Sequence, residues 1–116
     1  NMSEKIIVYG HPFCPMVMPV LKMLESSDVD FEYINIRQDL EARDRVTEIN
    51  NGNESVPTLV FPDGSTLTEP SSGALKSKLE EFGYTVPITA QIYANAPMII
   101  VGIIVFLVLL QIVAGL

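Results

Sequence analysis

Between Lys5 and Phe82 the apolar positions recur sometimes every second residue and sometimes every third or fourth, and beyond Met98 they no longer alternate with anything. Lys5 to Tyr9 is a short apolar run closed by Gly10, which predicts a buried strand. From Pro15 to Ser26 the residues Val17, Met18, Leu21 and Leu24 share one helical face, and the polar SSD that follows ends the segment. Pro19 inside that segment removes one backbone hydrogen bond, so a kink is expected. Phe31 to Ile36 alternates, placing Phe31, Tyr33 and Asn35 on one side of a strand and Glu32, Ile34 and Ile36 on the other. Leu40 to Asn50 predicts a second helix, with Asp39 positioned to cap it and NNGN to close it. Thr58 to Phe61 and Ser65 to Leu67 flank the turn residues PDG and predict a hairpin. Ser71 or Ser72 is placed to cap a last helix whose Leu75, Leu79 and Phe82 form one stripe. The order β-α-β-α-β-β-α implies a parallel pair with a right-handed crossover followed by an antiparallel hairpin. The expected fold is therefore α/β, a mixed four-stranded sheet with helices on both faces.

The chain from Met98 to Leu116 is a different material. Gln111 is its one polar side chain among 19 residues, and at helical rise the segment would span about 28 Å, close to a hydrocarbon core of about 30 Å. A helix apolar on every side needs either lipid or a large protein around it, and the preceding domain is too small to supply the latter. One transmembrane helix is expected here. Gly83 to Pro97 carries two prolines, no charge and little helical period, which reads as a linker with Tyr93 able to sit at the membrane interface. The expected division is a folded domain over 4–83, a linker over 84–97 and a membrane anchor over 98–116. IIVY near the N-terminus is too short for a secretory signal, so the domain is expected on the cytoplasmic side of a single-pass membrane protein. Asn1 ahead of Met2 reads as a tag remnant.

Charge sharpens this division. The seven basic and fourteen acidic residues all fall between Glu4 and Glu81, and the net charge is −7. A chain this acidic without a basic cluster is not built for nucleic acid or for docking on anionic lipid, both of which reward lysine and arginine. The single cysteine excludes an internal disulfide.

That cysteine, Cys14, follows the first predicted strand and enters the first predicted helix at Pro15, a residue suited to the first helical position. Backbone N–H groups and the positive end of a helix dipole there favour thiolate over thiol, and the thiolate is the nucleophile. His11 stands three residues earlier, able to add positive charge or a hydrogen bond to the sulfur. A buried cysteine serving as a small hydrophobe fits the same placement, so the reactive and inert readings both stand on these residues alone. Pro57 at the head of a predicted strand forces Val56 to be extended, and the isomer of the bond between them is open at this point. One cysteine and one histidine do not make a structural zinc site, which wants four ligands, so no metal is expected.

Taken together, VYGHPFCPMV, SVPT and DGSTLTEPS resemble the glutaredoxin family of the thioredoxin fold, and NGNESVPTLVFPDGSTLTEPS is similar to the mycoredoxins within it. The resemblance covers roughly Lys5 to Phe82. It implies a thioredoxin-like fold and a thiol-disulfide oxidoreductase with Cys14 as the catalytic residue. It further implies a cis Pro57 packed against Cys14, a Val56 backbone that pairs with the peptide part of a low-molecular-weight thiol, and a polar or anionic group of that thiol near Thr68 and Ser71. Phe13, His11 and Pro15 would complete the thiol-binding and thiolate environment. No permanently bound cofactor is implied; mycothiol or glutathione would be the co-substrate and S-thiolated proteins the partners. Three departures from the family pattern stand out. His11 replaces a common lysine or arginine, Leu67 and Thr68 replace a Gly-Gly, and Val17 replaces the second cysteine of Cys-x-x-Cys. The last departure implies a monothiol mechanism. Two other readings remain: an iron–sulfur carrier of the monothiol type, and a membrane-tethered interaction module in which Cys14 does not turn over.

Overall fold

A computed structural model describes residues 5–88 and 96–115; the readings made above for Asn1 and Tyr93 fall outside them. Strand β1 (Ile6–Gly10) leads into helix α1 (Val17–Ser26), strand β2 (Phe31–Asn35) and helix α2 (Leu40–Ile49). The hairpin β3 (Thr58–Val60) and β4 (Thr66–Thr68), helix α3 (Ser72–Glu81) and a long helix α4 (Ala96–Ala114) complete the order. The sheet runs β2-β1-β3-β4, with β1 parallel to β2 and antiparallel to β3, and β3 antiparallel to β4. This is the mixed four-stranded α/β arrangement expected of a thioredoxin-like fold.

Two apolar layers hold it. Ile6 and Val8 of β1, with Leu59 and Phe61, face Val20, Met23 and Leu24 of α1 and Leu75 and Leu79 of α3. On the opposite side Tyr9 and Ile34 join Ile36, Ala42, Val46 and Val56 beneath α2. Alternation along β1 thus feeds both layers, and Cys14 packs at the margin of the second. β2 alternates as expected, with Phe31 on the first layer and Ile34 and Ile36 on the second.

Differences from expectation concentrate in α1. Its buried residues are Val17, Val20, Met23 and Leu24, while Met18 is 52% exposed and Leu21 is only partly covered. The face that meets the sheet is rotated from the one the apolar spacing suggested, because Val20 and Met23 lie over β1 and Met18 is left outside. Pro19 sits in the first turn, where N–H groups have no partner within the helix, so the proline removes no bond and no kink is needed. The hairpin starts at Thr58 as expected, with β3 ending one residue earlier and β4 lying one residue later than the prediction. Its turn is fixed by Asp63, whose carboxylate accepts from both the N–H and the hydroxyl of Ser65 at 2.9 and 2.6 Å, and by Gly64 at φ 87°.

At the other end, Val86 is buried in the first layer and Tyr84 packs against it, so the chain holds to the folded body past Gly83. Helix α4 starts at Ala96, and its window Pro97–Ala114 carries no charged side chain and none of its residues is buried.

Candidate active site

Cys14 is placed by two turns. The N–H of Cys14 donates to the carbonyl of His11 at 3.3 Å, and the N–H of Val17 donates to the carbonyl of Cys14 at 3.2 Å. Helix α1 opens at Val17, with Met16 as its cap at near-helical angles. Pro15 is therefore not the first helical residue, as expected, but the second residue of the turn Cys14–Val17, a position for which its fixed φ also suits it. Cys14 thus lies three residues ahead of the helix instead of immediately before it.

Val17 occupies the position of a second thiol and is 97% buried, at 3% exposure. It leans on Gly10: a Cβ there would lie 3.0 Å from Val17 Cγ2 and 3.1 Å from Tyr33 Cε1, so a side chain at this position would press on both. The reactive turn is seated on that gap.

The thiol itself points at the loop before β3. Cys14 Sγ donates to the carbonyl of Val56 at 3.6 Å, and the Val56–Pro57 bond is cis. No acceptor among the described residues pairs with the Val56 N–H. The expected partner of the sulfur, His11, is not hydrogen-bonded to it. The His11 carbonyl is spent on the turn; the residue lines a polar recess with Arg37, Arg43 and Glu54, and its Nδ1 is buried without a partner among the described residues. Phe13 is 77% exposed beside the thiol, with the Arg37 guanidinium 5.4 Å from its ring centroid.

Thr68 and Ser71 are both exposed, but their hydroxyls are engaged by neighbours within the fold. Thr68 Oγ1 donates to Asn50 Oδ1 at 2.6 Å, and Ser71 Oγ accepts from the N–H of Ala74 at 3.1 Å as the cap of α3. Asn50 also donates to Thr58 Oγ1 at 3.1 Å, and Thr58 donates to the Ser55 carbonyl at 2.7 Å. The N–H of Glu69 donates to the Pro57 carbonyl at 2.8 Å. These bonds clamp Ser55 to Glu69 around the cis proline. What this edge presents outward is the positive end of α3.

Sequence reasoning missed four residues here: Asn50, which reads only as a helix end, and Arg37, Arg43 and Glu54. A signal for the arginines existed, since all three arginines of the chain fall between positions 37 and 45.

A thioredoxin-like sheet with a lone thiol on the turn after β1, facing a cis-proline loop, defines a thiol exchange protein of the thioredoxin-fold class. The glutaredoxin family profile matches residues 6–65. A Mycobacterium tuberculosis protein named as a glutaredoxin is 32% identical over 78 residues, 67% of this chain and 93% of the relative. Mycoredoxin 1 of Corynebacterium glutamicum is 33% identical over 77 residues, 66% of this chain and 95% of the relative. The crystal structure of a glutaredoxin from Archaeoglobus fulgidus superposes with a TM-score of 0.56 at 27% identity, covering 66% of this chain and 86% of that one. The chain belongs to the glutaredoxin family, a family of thiol-disulfide oxidoreductases that work with low-molecular-weight thiols.

Proposed function

We propose that this chain is a membrane-anchored monothiol glutaredoxin that reduces mixed disulfides between proteins and a small thiol, mycothiol or glutathione. The observation that carries the reading is the lone Cys14 thiol, in contact with the carbonyl before a cis proline, with a buried valine where a resolving thiol would stand. Cys14 thiolate attacks the small-thiol sulfur of the mixed disulfide. That S–S bond breaks, the protein thiolate leaves and takes up a proton, and Cys14 retains the small thiol. A second small-thiol thiolate then attacks the retained sulfur, releasing the symmetric small-thiol disulfide and Cys14 thiolate. Each turnover consumes one free small thiol, which leaves joined to the small thiol taken from the mixed disulfide, while the protein regains its thiol; no other reductant is needed.

Val56 supports the binding role, since its N–H and carbonyl offer an extended ligand one strand-like pair of hydrogen bonds. Phe13 and Pro15, both exposed, border the approach to the sulfur, and the ends of α3 at Ser71 and of β4 at Thr68 border the far side. The division proposed for the chain keeps the expected order, with bounds moved to fit the packing: a catalytic domain through Val86, a connecting segment, and an anchor opening at Ala96, with the domain on the cytoplasmic side. The length and uncharged, wholly exposed surface of α4 support the anchor.

The test uses the full chain in detergent micelles with one glutathionylated and one mycothiolated peptide, each with its free thiol supplied. Release of peptide from at least one, abolished by Cys14→Ser, is expected; release from neither, with Cys14 reduced and the fold intact, would refute the reading. The peptide that is released names the thiol.

A further inference from the structure

Pro15 and Met16, the two residues after the nucleophile, form one end of a second recess, of about 370 Å³, between α1 and α3. Val20, Met23 and Leu75 line it, Ser71 and Ser72 are its polar lining residues, and Pro97, in the first turn of α4, lines it as well. No charged side chain lines it, although the domain around it carries every charge of the chain. Beside it Met16 and Met18 are exposed at 43% and 52%.

We propose that this groove receives the apolar juxtamembrane segment of a membrane-protein substrate, so that Cys14 serves mixed disulfides on cysteines close outside the bilayer. The proposal rests on the reductase reading above and adds its substrate class. Its geometric basis is Pro97, which belongs both to the groove and to the helix that would cross the membrane; a groove sharing a wall with that helix opens where the helix enters lipid. Pro15 and Met16 of the nucleophile's own turn also line the groove, so a chain seated in it passes beside Cys14.

Chemistry selects the occupant. An uncharged lining rejects a charged or strongly polar peptide, whose groups would lose water without gaining partners. Prolines donate no hydrogen bond, and the flexible methionines accept apolar side chains of varied shape. A lipid headgroup is the poorer fit, because a net charge of −7 and the absence of lysine or arginine from the lining repel an anionic surface. A transmembrane protein's apolar flank meets each condition and is delivered at the right height.

The full chain is reconstituted in phosphatidylcholine vesicles with single-pass reporter helices. Each reporter carries one cysteine about 3, about 10 or about 25 residues outside the span, capped with whichever thiol the peptide assay turns over. Release is expected to be about tenfold faster at the nearest position than at the farthest, because the tether raises the local concentration there. Inserting about 20 Gly and Ser residues after Ile88, enough to lift the domain by roughly 25 Å, is expected to level the series. Met16→Glu is expected to lower the near-to-far ratio at least fivefold, a ratio in which any effect on the exchange step itself cancels. Equal rates at all positions without the insert, or a ratio unmoved by Met16→Glu, would overturn the proposal. A soluble capped peptide in the same vesicles separates the two ideas: its release with a flat reporter series overturns only the juxtamembrane preference, and no release from any probe overturns both.

Discussion

Tyr33 reports on Cys14 from across the end of β1. Burial raises the Tyr33 phenol above its ordinary value of 10.0, and the charge of a Cys14 thiolate pushes it the same way. Tyr9 is raised by burial too, with Arg45 opposing. A raised phenol stays protonated in the fold where the unfolded chain already gives up its proton. Its stabilising share is therefore complete below pH 10.0 and is lost as pH climbs through the raised value. Urea unfolding of Tyr33→Phe should accordingly show a shallower loss of stability on the alkaline side than the parent. Alkylating Cys14 with iodoacetamide removes the neighbouring charge, and the phenolate absorbance of Tyr33 should then titrate closer to the ordinary tyrosine range. Asn50 matters at the same scale, since its side chain ties Thr68 of β4 to Thr58 beside the cis proline, in addition to the strand pairing between them. Asn50→Ala should cost about 1 kcal/mol in urea unfolding, since it strips a partner from one part-buried and one exposed hydroxyl. Cys14 and Pro57 were legible from the chain because a cysteine on a strand-turn-helix path and a proline heading a strand are both unusual locally. Asn50 was not, because an asparagine after a helix already has a local use as its cap; the reach to Thr68 exists only once the hairpin has folded back.

Elements show the same split between local and tertiary causes. The order and number of strands and helices through α3 followed from period and turn residues, and Asp39 caps α2 as its position implied, accepting from the N–H of Ala42 at 3.0 Å. The orientation of α1 did not follow, since a helix with apolar residues at 17, 18, 20, 21, 23 and 24 offers more than one candidate face and the sheet chooses. Nor did its starting point, because Pro15 suits both a turn and a first helical position. The turn that puts Cys14 ahead of α1 has a testable consequence. Its ends, Cys14 and Val17, are joined by a turn hydrogen bond, which brings their Cα atoms within about 7 Å, inside the range a disulfide bridges. Val17→Cys should therefore form an internal disulfide after oxidation, seen as loss of both free thiols without dimerisation. That variant should also reduce protein disulfides such as those of insulin well above the parent's rate.

For the whole molecule, partition of charge made the two parts visible at once: every ionised side chain lies before the connecting segment and none within α4. What the sequence left unsaid is that Pro97, in the first turn of α4, lines the groove beside the nucleophile's turn. If α4 holds the chain in lipid, two charges in its middle should release it. Val105→Arg with Leu109→Arg, at about 2.5–3.5 kcal/mol each near a helix centre, should move the protein from the membrane pellet to the alkaline carbonate supernatant. The same variant should keep its rate on the soluble capped peptide, because neither residue touches the folded body; retention in the pellet would argue against the anchor.

The buried methyl groups of Val17 also set who keeps time in this chemistry. With nothing in the chain to displace a captured small thiol, each turnover on the proposed mechanism pauses until a free molecule arrives from outside, and exchange through Cys14 runs backward as readily as forward. The direction is then decided by the ratio of free to oxidised small thiol in the surroundings. In a reducing pool such a protein strips caps from its clients, and in a depleted one it puts them on. A single valine would thereby make the protein an equilibrator of its neighbourhood, faithful to the pool and indifferent to the client.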